Sequence, residues 1–203
     1  MRRHWWLGIS GIVLGVALIA GVAWWRNTRH TFAGILNTPP VAAPDFTLSD
    51  SEGQPWTLSS LRGQWVLLAY GYTSCPDVCP ATLSALRRVK EQLGPQAEQV
   101  RVVFVSLDPE RDTAPLVQEY VRHFGEDFIG LTGTPEAVAA AAEAYGVRYQ
   151  PVEVDSAVGY LISHTAFVYV IDPAAQWRLT IPFGVKPPEM VDDLHYLMNL
   201  EAQ

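Results

Sequence analysis

The residues best suited to chemistry are the two cysteines of the chain, Cys75 and Cys79. Three residues separate them, so that in a helix their Cβ atoms would lie about 5–6 Å apart on one face. Two thiolates at that distance can bind one soft metal ion, and with some backbone adjustment they can form a disulfide. The pair therefore predicts either a redox centre or a metal site.

The residues around the pair indicate a junction between a strand and a helix. Residues 65–70 form a nearly continuous apolar run, which is typical of a strand covered on both faces. Asp77 is a suitable N-cap, which would place Cys75 just outside the helix and Cys79 in its first turn. Pro80 is tolerated there, because first-turn amides lack intrahelical partners. We expect the helix dipole to favour the thiolate at both sulfurs. Packing alone would not explain two cysteines paired so closely between prolines.

A third donor is sought among the five histidines. His164 immediately precedes an apolar strand, residues 167–171. In a thioredoxin-like sheet this strand lies beside the strand that ends at the cysteines, so we predict that His164 faces them. Two thiolates and an imidazole suit Cu(I), whereas Zn²⁺ normally takes a fourth ligand or a water. The other histidines flank the N-terminal apolar segment or lie in predicted helices: His4, His30, His123 and His195.

The remaining pattern predicts an α/β fold with a thioredoxin-like arrangement, a central mixed sheet flanked by helices, and an N-terminal β-hairpin extension. Residues 149–163 have no clear period and are interpreted as an irregular insert or a hairpin. The predicted strands are residues 46–49, 56–58, 65–70, 100–107, 128–131, 167–171 and 177–181. The predicted helices follow the cysteines to Leu93, cover residues 113–124, run from Thr134 to near Gly146, and begin again at Pro187.

The N-terminal segment predicts one transmembrane helix before this domain. Residues 5–25 carry no charge and have tryptophans at both ends, and about 20 apolar residues span a bilayer. The run ends in Trp24-Trp25-Arg26, a poor cleavage site, so we expect an uncleaved anchor rather than a signal peptide. Arg2 and Arg3 favour a cytoplasmic N-terminus.

The predicted organisation is an anchor in residues 1–26, a proline-containing linker in 27–44 and a thioredoxin-like copper-binding domain in 45–203. The predicted location is the inner (cytoplasmic) membrane, crossed once, with the C-terminal domain in the periplasm or an equivalent extracytoplasmic space.

The net charge of the chain disfavours two kinds of partner. The chain has 14 basic and 21 acidic residues. Four of the basic residues precede residue 31, so ten remain against all 21 acidic ones. Such a domain is repelled by nucleic acid and by anionic lipid headgroups. A protein or a metal ion is therefore the favoured partner.

Three motifs, taken together, resemble the Sco/SenC family over about residues 42–200. They are residues 73–80 (TSCPDVCP), 106–113 (SLDPERDT) and 163–165 (SHT) before an apolar strand. Sco/SenC proteins are membrane-anchored, thioredoxin-like copper chaperones for the dinuclear copper centre of cytochrome c oxidase. The resemblance implies that Cys75, Cys79 and His164 bind copper and that Asp77 and Asp108 support them. Residues 159–163 are more apolar than the Tyr/Asp-rich stretch common in the family.

The same positions separate this chain from ordinary thioredoxins. Those proteins have two residues between the cysteines and a cis-proline before the facing strand. This chain has three residues, no proline in residues 152–171, and His164-Thr165 where a Pro-Thr pair would be expected. The histidine adds a metal donor, and the missing proline weakens the docking place for a peptide substrate.

The resulting prediction is a metallochaperone rather than an enzyme. It would carry copper, as Cu(I) or Cu(II), to an acceptor, for which the resemblance implies subunit II of cytochrome c oxidase. The alternative is a thiol–disulfide reductase that keeps the acceptor's cysteines reduced, with Cys75 as the attacking thiol. Peroxide reduction is disfavoured, because the chain lacks a Pro-Thr-x-x-Cys motif.

Overall fold

A computed structural model describes residues 30–155 and 159–201. The predicted membrane anchor lies outside these residues. Within the two described ranges, no helix combines the length and the apolar character needed to cross a bilayer. Both cysteines and His164 lie in one compact unit, Ala33–Gln203.

The described part of this unit contains ten strands and four α-helices. The strands are β1 (Ile35–Ala42), β2 (Thr47–Ser49), β3 (Pro55–Thr57), β4 (Trp65–Gly71), β5 (Val100–Ser106), β6 (Ile129–Leu131), β7 (Tyr149–Glu153), β8 (Tyr160–His164), β9 (Phe167–Ile171) and β10 (Gln176–Pro182). The helices are α1 (Val78–Leu93), α2 (Ala114–Arg122), α3 (Pro135–Ala144) and α4 (Pro187–Glu201), with 3₁₀ turns at Leu58–Leu61 and Gly94–Gln99.

Six of these strands form one mixed sheet in the order β1-β10-β9-β4-β5-β6. The neighbours β4, β5 and β6 run parallel, whereas β9 is antiparallel to β4 and β10 is antiparallel to β9. The β2–β3 and β7–β8 pairs form two separate hairpins. The predicted mixed sheet, flanking helices and N-terminal hairpin are therefore confirmed.

Strand β4 lies at the centre of the sheet and is buried along its whole length. On one face, Val66, Leu68 and Tyr70 join an apolar core that also contains Tyr169 of β9 and residues of α3. The alternate residues of β4 point to the opposite face, because side chains alternate along a strand. Coverage on both faces is the reason that the sequence of β4 shows no polar alternation.

Helix α1 follows the cysteines and buries one stripe of its surface. Leu83, Leu86, Val89 and Leu93 recur at helical spacing and are all buried, as the sequence predicts. The helix packs against α4, and it ends at Gly94, whose φ of 57° is a left-handed conformation that suits glycine. The burial of this stripe holds the first turn of α1, and with it Cys79, against the sheet.

The predicted linker contains a strand that the sequence does not indicate. Within residues 27–44, Ile35–Ala42 forms β1 at the edge of the sheet and pairs with β10. The pairing is irregular between Leu36 and Val41, where Pro39 and Pro40 have no N–H to donate and are tolerated because β1 is an edge strand. Composition predicts the extended backbone correctly, but the pairing depends on a strand far along the chain.

The structure decides two local predictions, one on a hairpin and one on a helix start. The segment interpreted as an insert or a hairpin is a hairpin, in which Tyr149 pairs with His164 and Glu153 with Tyr160. Helix α3 begins as predicted, because the Thr134 hydroxyl accepts a hydrogen bond from the Ala137 N–H at 3.2 Å.

We predict that Leu86→Ala lowers the free energy of unfolding by about 2–5 kcal/mol, since it leaves a cavity under α1. Leu86 has no exposed surface. Urea denaturation of the metal-free protein, followed by circular dichroism, measures the change. Arg87→Ala is the matched control, because Arg87 is exposed on the same helix and pairs with Glu91. Equal losses for the two variants would contradict the assignment of this helix face to the core.

Candidate metal centre

Both cysteines lie at the junction between β4 and α1. Strand β4 ends at Gly71 and α1 begins at Val78, so Cys75 lies in the connecting turn and Cys79 in the first turn of the helix, as predicted. Cys75 is partly exposed and Cys79 is buried, and both are free thiols. A Cβ at Gly71 would lie 2.7 Å from the Cys79 sulfur, so a glycine here makes room for the buried thiol.

The start of α1 is capped by sulfur rather than by a carboxylate. Asp77 occupies the N-cap position, but its side chain makes no capping hydrogen bond. Instead, the Cys79 N–H donates to the Cys75 sulfur over 3.4 Å. Asp77 is therefore the N-cap by position only, and Cys75 accepts from one of the amides that a helix start leaves without a partner.

His164 reaches the cysteines from the end of β8. Its Nε2 lies 3.6 Å from the Cys79 sulfur, and its Nδ1 lies 3.0 Å from the Thr165 carbonyl oxygen. When Nδ1 carries the proton it donates to that carbonyl, which leaves the Nε2 lone pair facing the sulfur. The Tyr72 ring packs edge-on against the imidazole, at 6.1 Å between centroids. The ring of His164 is thus held on two sides.

The three side chains form one group of donor atoms. One donor atom each from Cys75, Cys79 and His164 lies within 4.8 Å of the other two. In the described residues, no other group of three or more Cys, His, Asp or Glu side chains is arranged to hold a metal ion. The structure therefore brings together the three residues that the sequence singles out.

The two cysteines differ in acidity. A hydrogen bond from the Cys79 thiol, assisted by the backbone N–H groups of Cys79 and Asp77, lowers the pKa of Cys75 to about 5. The same hydrogen bond, together with burial, raises the pKa of Cys79 above its ordinary value. The prediction of thiolates at both sulfurs is therefore wrong for Cys79, because two neighbouring sulfurs cannot both be stabilised as anions without a cation between them.

The loop between β5 and α2 supplies a carboxylate that the sequence reasoning missed. Asp112 is 1% exposed and accepts hydrogen bonds from the Thr73 N–H at 2.9 Å and the Thr73 hydroxyl at 2.5 Å. It also accepts from the Ser106 hydroxyl at 2.5 Å. Asp112 thereby fixes the turn that leads to Cys75. Its position in the 106–113 motif was the available signal.

The other candidate residues lie outside the group of donors. Asp108 is buried and bonded to Arg111 and Tyr160, and the Asp77 side chain is exposed. His123 is exposed at the end of α2, where its Nδ1 lies 2.8 Å from the Glu119 carbonyl oxygen. His30 packs against Phe32, His195 lies on α4, and His4 is outside the described residues.

A mixed sheet with two cysteines at the first strand–helix junction, and an imidazole facing them from beside the antiparallel strand, defines a thioredoxin-like domain with a soft three-donor site. The family model described as SCO1/SenC matches residues 36–199. The chain belongs to this family.

Three relatives show the extent of the similarity. The chain is 38% identical over 170 residues to the mitochondrial SCO2 homolog of Mus musculus, a match that covers 81% of this chain and 66% of the mouse protein, just under two-thirds. The solution structure of apo Sco1 from Thermus thermophilus has 40% identity and a TM-score of 0.73, and the match covers 84% of this chain and 99% of that one. The crystal structure of Arabidopsis thaliana ScoI with copper bound has 30% identity and a TM-score of 0.74, with coverage of 79% and 99%.

We predict that Cys75 of the metal-free protein reacts with iodoacetamide as a thiolate at neutral pH. Its rate should rise as the pH increases through about 5 and then level off, because the pKa of Cys75 is lowered to about 5 and the thiolate is the nucleophile. Mass spectrometry of alkylated peptides across a pH series measures the rate at each cysteine. Cys79→Ala removes the main hydrogen bond to the sulfur and should raise the apparent pKa. An apparent pKa near the free-cysteine value of about 8.5 in the unaltered protein would contradict the activation of Cys75.

Proposed function

We propose that this protein is a copper-binding metallochaperone that delivers copper to the dinuclear copper centre of cytochrome c oxidase during its assembly. The observation that carries the proposal is the cluster of Cys75, Cys79 and His164, with their donor atoms within 4.8 Å of one another. Each of the three would supply one ligand atom.

The donor set fits copper. Two sulfurs and one imidazole form a donor set that favours Cu(I). Among the divalent first-row metal ions, Cu²⁺ binds such N/S ligands most tightly. The Nε2 lone pair of His164 faces the sulfurs, and Cys79, which holds its proton in the metal-free protein, would release it on binding. Copper bound in the Arabidopsis relative supports the same cargo here.

Delivery needs a site that a partner can reach. Cys75 and His164 are only partly buried, whereas Cys79 is buried. An incoming thiolate or imidazole can therefore approach the ion from the side of Cys75 and His164 while Cys79 still holds it. The expected acceptor is subunit II of cytochrome c oxidase, and the predicted anchor in residues 1–26 would keep the domain at the same membrane. The acidic surface disfavours nucleic acid as a partner.

We predict that the purified protein binds one copper ion per chain and that His164→Ala weakens binding by about tenfold or more, since a donor is lost. The double change Cys75→Ser and Cys79→Ser should abolish Cu(I) binding. Competition with a chromophoric Cu(I) chelator and equilibrium dialysis with Cu(II) give the affinities. His123→Ala is the matched control, because His123 is exposed and outside the group. Unchanged affinity in His164→Ala would show that the site assignment is wrong.

The second candidate, a thiol–disulfide reductase, is favoured by the lowered pKa of Cys75 beside a protonated Cys79. The Cys75 thiolate would attack an acceptor disulfide and form a mixed disulfide. The Cys79 sulfur, after losing its proton, would then displace the acceptor, which leaves as a dithiol while Cys75 and Cys79 become a disulfide. A cellular thiol reductant must then reduce that disulfide before the next cycle.

The two functions predict different behaviour of one variant. If reduction is the function, copper-free protein should turn over a disulfide peptide with glutathione as reductant, and His164→Ala should retain that rate, because the imidazole takes no part in the exchange. If delivery is the function, His164→Ala should fail in copper transfer to the acceptor. Chromatography of acid-quenched samples, which separates the reduced peptide from its disulfide form, measures the turnover.

A further inference from the structure

The hairpin formed by β7 and β8, which ends at His164, contacts the loop between β5 and α2. We propose that Arg111, together with Asp108 and Tyr160, forms a clamp that positions this hairpin so that His164 completes the metal site. These three residues are called the clamp. The consequence for copper rests on the proposed function, whereas the consequence for the hairpin does not.

Arg111 contacts the first residue of β8 in two ways. Its Nη1 donates to the Tyr160 carbonyl oxygen at 2.9 Å, and its guanidinium carbon lies 3.6 Å from the centroid of the Tyr160 ring. A planar guanidinium can stack on an aromatic ring and donate in its own plane at once, which a lysine ammonium cannot do. Arg111 therefore fixes both the backbone and the side chain of Tyr160.

Asp108 contacts both of the other residues of the clamp. Its carboxylate pairs with the Arg111 Nε and accepts a hydrogen bond from the Tyr160 hydroxyl at 2.9 Å. Asp108 is 2% exposed, so its carboxylate is shielded from water and depends on Arg111 and Tyr160 for its partners. The contacts form a closed ring, in which each residue holds the other two.

The hairpin depends on such contacts because it lies outside the main sheet. In the described residues, β7 and β8 pair with each other and with no strand of the six-stranded sheet. Contacts between Arg148 and Thr165 close the base of the hairpin. Tyr72 interacts with the backbone of Ile162 in the middle of β8. The clamp holds the other end of β8, four residues before His164.

The same loop also holds the cysteine side of the site. Ser106 receives a hydrogen bond from the Asp108 N–H at 3.1 Å and donates to Asp112. Asp112 in turn holds Thr73, two residues before Cys75. The loop from Ser106 to Asp112 therefore bears on both halves of the site, and the clamp is the part that determines the placement of the imidazole.

The first test uses metal-free protein and needs no copper. Arg111→Ala should speed amide hydrogen exchange in β8 by about tenfold or more, because charge-assisted contacts are lost, while amides of β5 keep their protection. Arg111→Lys should recover only part of it, since it keeps the charge but not the planar fork. Arg87→Ala, an exposed arginine on α1, is the control. Unchanged exchange in β8, or an equal increase throughout the domain, would overturn the clamp.

The second test is a double-mutant cycle on copper affinity. If Arg111 acts through His164, Arg111→Ala should weaken copper binding by about tenfold when His164 is present. It should have little further effect when His164 is already replaced by alanine. An equal loss in both backgrounds would overturn a role through the histidine. The electron paramagnetic resonance spectrum of the Cu(II)-loaded Arg111→Ala protein should move toward that of His164→Ala, because the imidazole nitrogen is lost.

Tyr160→Phe provides a gentler variant if Arg111→Ala fails to fold. It removes the hydroxyl that donates to Asp108 and keeps the ring beneath the guanidinium. The amides of β8 should therefore exchange faster than in the unaltered protein. Exchange in β8 identical to that of the unaltered protein would overturn the role of this contact. Failure of the unaltered protein to bind copper would instead refute the proposed function and leave the exchange result standing.

Discussion

The candidate metal centre depends on one constraint, namely that donor atoms from segments 85 residues apart must lie within a few ångströms of each other. The antiparallel pairing of β4 with β9, from Val66 opposite Ile171 to Ala69 opposite Val168, satisfies most of it. The end of β4 and the start of β9 then lie at the same edge of the sheet. Because both strands are largely buried, the hydrophobic effect that stabilises the core also brings the cysteines to the histidine.

The two sulfurs of the site differ in acidity: Cys75 has a lowered pKa and Cys79 a raised one. The hydrogen bond between the thiols lowers the pKa of Cys75 and raises that of Cys79, and Cys79 lies beside the His164 Nε2. A soft cation can replace the Cys79 proton, and so can a bond to the neighbouring sulfur. The proposed copper binding and the alternative thiol exchange would therefore use the same pair of sulfur atoms, and only copper binding would require the imidazole.

Much of the fold could be predicted from local pattern. The apolar run of β4, the helical stripe of α1 and the strand at Phe167–Ile171 are strong signals, because burial on one or two faces imposes a period on the sequence. Strand β1 carries no such signal, since it is exposed and interrupted by prolines. Its pairing depends on β10, where Asn37 donates to the carbonyl oxygen of Trp177, 140 residues further along the chain.

The sequence by itself singled out the three candidate donors, since two cysteines at helical spacing and one histidine before a buried strand are local patterns that resemble those of the Sco/SenC family. The tertiary structure alone decided the unequal acidity of the sulfurs, the capping of α1 by Cys75 and the contacts of Arg111 with Tyr160. Each of these depends on distances of a few ångströms between groups that are distant in sequence or differently buried. A periodic pattern records which side of an element is covered, but it does not record which atoms meet there.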